Sequence, residues 1–127
     1  MSFSTKLILL AVICCSFIAS AQYGATNPGG YTDLSDKQLA SKPVQRALHF
    51  AVDQAIERLE HIDVLPKGKD YDYTLITAEQ QIVEGVNYRF RLRLFADCDN
   101  NISAAVIAVV YQAPNGKLRL VSLRPLV

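Results

Sequence analysis

Few side chains in this sequence are of the types that make and break bonds, and their spacing argues against catalysis. His49 and His61 are the only histidines, and no second partner stands at the separation that a metal site or a nucleophile–base triad needs. Cys98 lies between Asp97 and Asp99, an acidic setting that suits a thiolate nucleophile poorly. No glycine-rich phosphate cradle is present. These absences predict a protein that is not an enzyme and carries no metal and no cofactor. Two patterns of binding chemistry remain. Arg89, Arg91 and Arg93 alternate along one segment, with Lys117 and Arg119 able to extend the row. Such a row either binds a polyanion or forms the solvated face of a sheet, interleaved with acidic partners. No aromatics interleave with it to stack on bases, which favours the solvated face and predicts no nucleic-acid partner. Asn101-Ile102-Ser103 is an acceptor pattern for N-glycosylation.

The compartment is readable at the start of the chain. Lys6 precedes the apolar run Leu7 to Ile18, and Ala19-Ser20-Ala21 is a small-residue cleavage pattern. The run is shorter than the ~20 residues that span a bilayer. Residues 1–21 therefore read as a signal peptide, which predicts secretion and no membrane association after its removal. Residues 22–127 are the size of one domain. Lys6, Cys14 and Cys15 leave with the leader, so the remainder is near neutral and Cys98 stands alone. No disulfide within the chain is available, and one hydrophobic core has to hold the domain.

The elements that would position the binding groups follow from periodicity. Gln22 to Tyr31 carries glycine, proline and small polar residues and reads as an extended arm. From Ser41 to Glu60, Val44, Ala47, Leu48, Ala51, Val52, Ala55, Ile56 and Leu59 form one apolar stripe at helical spacing. Ser41 is placed to cap this helix, Pro43 suits its first turn, and Ser35 with Gln38 forms a capping box for a short turn upstream. His49 falls off the stripe, and His61 falls in the polar connection after the helix. The alanines on the stripe predict close packing, which leaves no room for a small apolar ligand beneath the helix. Beyond Asp70 the period becomes two. Tyr71 to Gln81 is one strand, and Val86, Tyr88, Phe90, Leu92 and Leu94 mark the inner face of the next. Ile102 to Gln112 suits an interior strand, and Lys117 to Leu123 follows the turn signal Asn115-Gly116. The order predicts an α+β domain, one long helix packed across a four- to five-stranded antiparallel sheet.

Three turn segments are not explained by core packing: Pro28-Gly29-Gly30, Gln81 to Gly85, and Ala113 to Gly116. In a meander the last two are hairpin tips at the same end of the sheet, and the first leads into an element that starts there. With Ile82, Val83 and Pro114 exposed, the three make a wedge for docking into a partner. The alternative is three unrelated turns, with Val83 the last buried residue of its strand. Val83 is also β-branched beside a tight turn, a place where strain can be stored and strands exchanged between chains.

These residues resemble the cystatins, inhibitors of papain-like cysteine proteases. Gln81-Ile82-Val83-Glu84-Gly85 is similar to the family's Gln-x-Val-x-Gly loop, and Ala47 to Asp53 (ALHFAVD) is similar to its helix signature. Gly29-Gly30 stands where the glycine of the N-terminal trunk falls, and Tyr111 to Gly116 matches the second hairpin. The resemblance spans nearly all of the mature chain. It implies a cystatin-like fold and a reversible, competitive inhibitor of papain-like proteases of the cathepsin L or papain type. Its protease-binding residues would be Pro28, Gly29, Gly30, Gln81, Ile82, Val83, Glu84, Gly85, Pro114 and Asn115. It also departs from the family. Members usually carry Pro-Trp where this chain has Pro114-Asn115, and secreted animal members usually have two disulfides. No Asn lies between Leu59 and Ile82, so the legumain inhibition of some members is not expected. Loss of an interfacial Trp typically costs ~2–4 kcal/mol, which leaves a non-inhibitory cystatin-fold binding or structural protein as the alternative. A monomer is expected, with strand exchange and a Cys98 bridge between chains as two routes to a dimer.

Overall fold

The computed structural model describes residues 30–126. The leader read at residues 1–21, and Pro28 and Gly29 of the wedge, lie outside the described residues. Five strands and two helices follow in order: β1 (Thr32–Asp33), α1 (Asp36–Leu39), α2 (Lys42–His61), β2 (Tyr71–Val83), β3 (Gly85–Ala96), β4 (Asp99–Gln112) and β5 (Leu118–Pro125). The strands form one sheet in the order β1-β2-β3-β4-β5, every neighbouring pair antiparallel. Helix α2 packs across one face against β3, β4 and β5.

The helix follows its sequence pattern closely. Val44, Ala47, Leu48, Ala51, Val52, Ala55 and Leu59 are buried, and Ile56 packs half-buried at the edge of the stripe. Ala47, Ala51 and Ala55 are fully buried, so the helix backbone lies close to the sheet. Opposite them stand Phe90, Leu92, Leu94, Val106, Ala108 and Val110, all fully buried. Burying a large aliphatic or phenylalanine side chain contributes roughly 1.5–3 kcal/mol, so this seam dominates stability. Two capping expectations have different outcomes. Ser35 and Gln38 form the reciprocal capping box of α1. Ser41 has the extended backbone of an N-cap, but its side chain makes no cap bond, and its hydroxyl donates to the Gln38 carbonyl at 2.6 Å. The preceding turn takes that hydroxyl first. His61 is the last residue of α2 and not part of the connection, and both histidines are exposed.

The least expected feature is a bulge in β2. Leu75 pairs with Leu92 but Thr77 with Arg91, so Ile76 is the extra residue, and it is 40% exposed. An inserted residue flips the side-chain alternation and bends the strand. Leu75 therefore faces the helix before the bulge and Ala78 after it. Glu79 and Gln81 go to the opposite, open face of the sheet.

Candidate functional site

The two long hairpins turn at the same end of the sheet, and β1 starts there. In β2–β3 the ladder runs out to Val83↔Gly85, leaving Glu84 at the apex. Gly85 has φ 100°, a conformation that glycine alone adopts without strain. A Cβ there would also lie 2.5 Å from the Gln112 carbonyl and 2.7 Å from the Tyr111 hydroxyl. So close an approach serves a purpose, because the Tyr111 hydroxyl donates to the Glu84 carbonyl and ties this apex to β4. Below the tip, Asn87 donates from Nδ2 to Gln81 Oε1 at 2.9 Å across the strands.

The β4–β5 tip is held equally firmly. Ala113 and Lys117 close the turn at 2.9 Å, and the Gly116 N–H reaches the Ala113 carbonyl at 2.8 Å. Asn115 accepts the Lys117 N–H on Oδ1 at 3.0 Å, and Gly116 has φ 89°. Arg46 of α2 donates to the Gly116 carbonyl at 2.7 Å, fastening the tip to the helix. The third segment is anchored at its base: Thr32 pairs with Gln80 and Asp33 with Glu79, and Leu34 is fully buried. Arg89 stacks over the Tyr31 ring at 3.9 Å and pairs with Glu79 at 2.8 Å. The bond to Glu79 is the main cause that raises the Arg89 guanidinium above its already high range. Continuing the β1–β2 register places Gly30 level with Ile82.

This frame brings Gly30, Gln81 to Gly85, and Pro114-Asn115 to one end. Ile82 is 61% and Val83 42% exposed, so Val83 is not the last buried residue of its strand. The strain read at Val83 is not observed either, since the only non-glycine residue with positive φ among those described is Asp63. Glu84, Pro114 and Asn115 are exposed. Asn101 is exposed near the start of β4, and exposed Cys98 sits in the β3–β4 turn, both at the far end of the sheet. Among the described residues no His, Cys, Asp and Glu cluster could hold a metal ion, and no helix is long and apolar enough to cross a membrane.

Three contributors escaped the sequence reading: Tyr111 as the pin of the first tip, Arg46 as the tether of the second, and Tyr31 with Arg89 and Glu79 at the root of the arm. Each joins residues far apart in the chain, and nothing local to either partner signals the contact. The expectation that the arginine face lacks aromatics is corrected as well. Tyr31, Phe95 and Tyr111 each lie against an arginine of that face.

No family model matches the chain, and no curated protein sequence does. Among solved structures, the salivary cystatin from the soft tick Ornithodoros moubata is similar at 17% identity and a TM-score of 0.52. The match covers 80% of this chain and 100% of that one. The fold is cystatin-like. The cystatin-like fold accounts for the long helix, the five-stranded antiparallel sheet and the shared end at which the tips meet.

Proposed function

We propose that the chain is a secreted, reversible, competitive inhibitor of papain-like cysteine proteases, of the cathepsin L or papain type. The observation that carries this reading is the pair Ile82 and Val83, 61% and 42% exposed on a tip held at both Gly85 and Tyr111. An aliphatic tip on a rigid frame loses little freedom on docking, so its burial goes into affinity. Ile82 and Val83 enter the cleft, Gln81 and Gly85 line the contact, and Glu84 faces the rim. Pro114 and Asn115 touch one flank. On the other, Pro28, Gly29 and Gly30 run along the substrate subsites, glycine letting the arm turn away before a peptide bond meets the nucleophile. The protease is obstructed and the inhibitor is not cut. Such a fold has no need of a catalytic group of its own.

Asn115 favours a second reading, a cystatin-fold protein that does not inhibit. Its side chain closes its own turn and offers no aromatic surface to a partner. Titration of papain and cathepsin L distinguishes the two, using one chain that starts at Gln22 and another that starts at Tyr31. Inhibition that weakens at least tenfold on truncation is the expected result. No inhibition by either form supports the second reading.

A further inference from the structure

The open face of the sheet, opposite α2, carries a cluster of arginines whose charge the protein leaves unneutralised. The register places Arg89, Arg91 and Arg93 of β3 on this face, with Arg119 and Arg124 of β5. In β4 between them stand Ala105, Ile107 and Val109. Arg89 is neutralised by Glu79 at 2.8 Å. That is the only ion pair within 4 Å among the described residues, so Arg91, Arg93, Arg119 and Arg124 have no carboxylate partner there. All four are exposed. Two of them are held by rings and not by acids. Arg93 lies 5.9 Å from the Phe95 centroid and Arg119 5.4 Å from that of Tyr111. A ring restrains a guanidinium without cancelling its charge. Among the described residues, an ion pair between this face's arginines and its acids forms only at Glu79. Asp33 of β1, opposite Glu79, and Asp72, beside Phe95 at the far end, are the other carboxylates of this face. Asp72 accepts the Tyr73 N–H at 2.8 Å, and neither carboxylate lies within 4 Å of an arginine. Of the remaining acids, Asp53, Glu57 and Glu60 sit on α2 and Asp99 starts β4, while Asp97 of the β3–β4 turn lines a shallow cleft with Asp72 and Arg93. A chain of nearly balanced charge thus presents one cationic face.

We propose that this face binds a linear sulfated polysaccharide. Arg91, Ile107 and Arg124 stand in one row across β3, β4 and β5, which sets the two arginines ~10 Å apart at the usual strand spacing. Arg93 is ~7 Å further along β3 from Arg91. The guanidiniums form a spaced array on a flat surface, each able to grip a sulfate with two parallel hydrogen bonds. An extended chain with anions on successive sugars lies along such an array. A nucleic-acid duplex fits less well. A flat sheet face does not enter a groove that admits a helix or a two-stranded ribbon, and the rings near the arginines are already covered by them. The face lies alongside the sheet and not at the wedge end, so the two surfaces can be occupied together, and no protease is needed to read this one.

Heparin is the probe, with the chain that starts at Gln22. Affinity is measured as a function of salt for three forms: the natural sequence, Arg91→Gln/Arg93→Gln/Arg124→Gln, and Lys42→Gln/Arg58→Gln/Lys67→Gln. The last removes the same charge from the exposed helix side. The natural sequence should bind with a log–log salt slope of about −3, reflecting several engaged cations. The arginine triple should lose at least ~30-fold and bring the slope near −1, while the helix-side triple changes affinity less than ~3-fold. Arg124→Gln alone, on the edge strand, should lose several-fold and reads the face if the triple does not fold. Equal losses in both triples, no binding by the natural sequence, or tighter binding to a DNA duplex of matched charge would each overturn the proposal.

Discussion

Two ends of one sheet each expose a valine, and for different reasons. Val64, 52% exposed beside Ile62 at 58%, follows α2 at the far end. Val83, 42% exposed beside Ile82 at 61%, stands at the wedge. At the far end the exposed pair is a by-product of anchoring. Leu65 is 1% exposed, its N–H and that of Val64 both return to the Leu59 carbonyl, and Asp63 takes φ 62° so that the chain can reverse. Leu65 goes in, and its neighbours must therefore stay out. The wedge tip has no such anchor. Its side chains hold nothing in the core, and the apex is kept in place from outside by Tyr111 and by the space that Gly85 leaves. Exposure alone marks neither end as a site. What distinguishes the wedge is apolar surface on a rigid frame that gains no stability from it.

Substitutions at matched positions sharpen the contrast, and the largest effect belongs to the anchor. Leu65→Ala should cost about 2–4 kcal/mol in denaturant unfolding, the range for a buried leucine, whereas Val83→Ala should cost less than ~0.5. Equal costs would mean that Val83 is structural. Next comes the glycine pair. Gly85→Ala meets both a positive φ and backbone 2.5 Å away, so a loss of about 2–3 kcal/mol is expected. Gly68, φ 79° with nothing within 4 Å of a Cβ, should lose only about 1 kcal/mol on the same change. Tyr111→Phe removes one hydrogen bond and should cost about 1 kcal/mol, with faster amide exchange confined to residues near Glu84.

The smallest effect is a pH dependence. Burial raises the Tyr88 phenol above 10.0, and Arg46 partly offsets the shift. The folded state then keeps a proton that the unfolded chain gives up. This contribution is complete below the unfolded value and fades as pH rises through the folded one. Stability should decline above pH 10.0, and less steeply in Tyr88→Phe. Identical slopes in thermal melts would contradict the assignment.

Most of the scaffold is legible in the sequence because it repeats. The α2 stripe and the inner face of β3 are written at their own periods, and the resemblance to cystatins carried the fold. Ile76 shows where legibility stops. Nothing in Thr74-Leu75-Ile76-Thr77 marks one residue as extra, because a bulge is defined by the pairing with β3. That residue decides that Glu79 meets Arg89 and Gln81 meets Asn87. The tip itself was readable from Gly85, while the groups that stiffen it lie 27 positions away at Tyr111 and 70 away in the Arg46–Gly116 contact. Local patterns report elements, and the rigidity of the wedge comes from contacts between them.

The most direct test of the central claim places one charge at each end. Val83→Asp and Val64→Asp are compared with the natural sequence as inhibitors of papain, after unfolding curves establish that both are folded. Inhibition by the natural sequence, a loss of at least ~100-fold in Val83→Asp and less than ~3-fold in Val64→Asp is the predicted result, since a carboxylate at the tip would be buried unpaired in the cleft. Equal inhibition by all three, or none by the natural sequence, would contradict it.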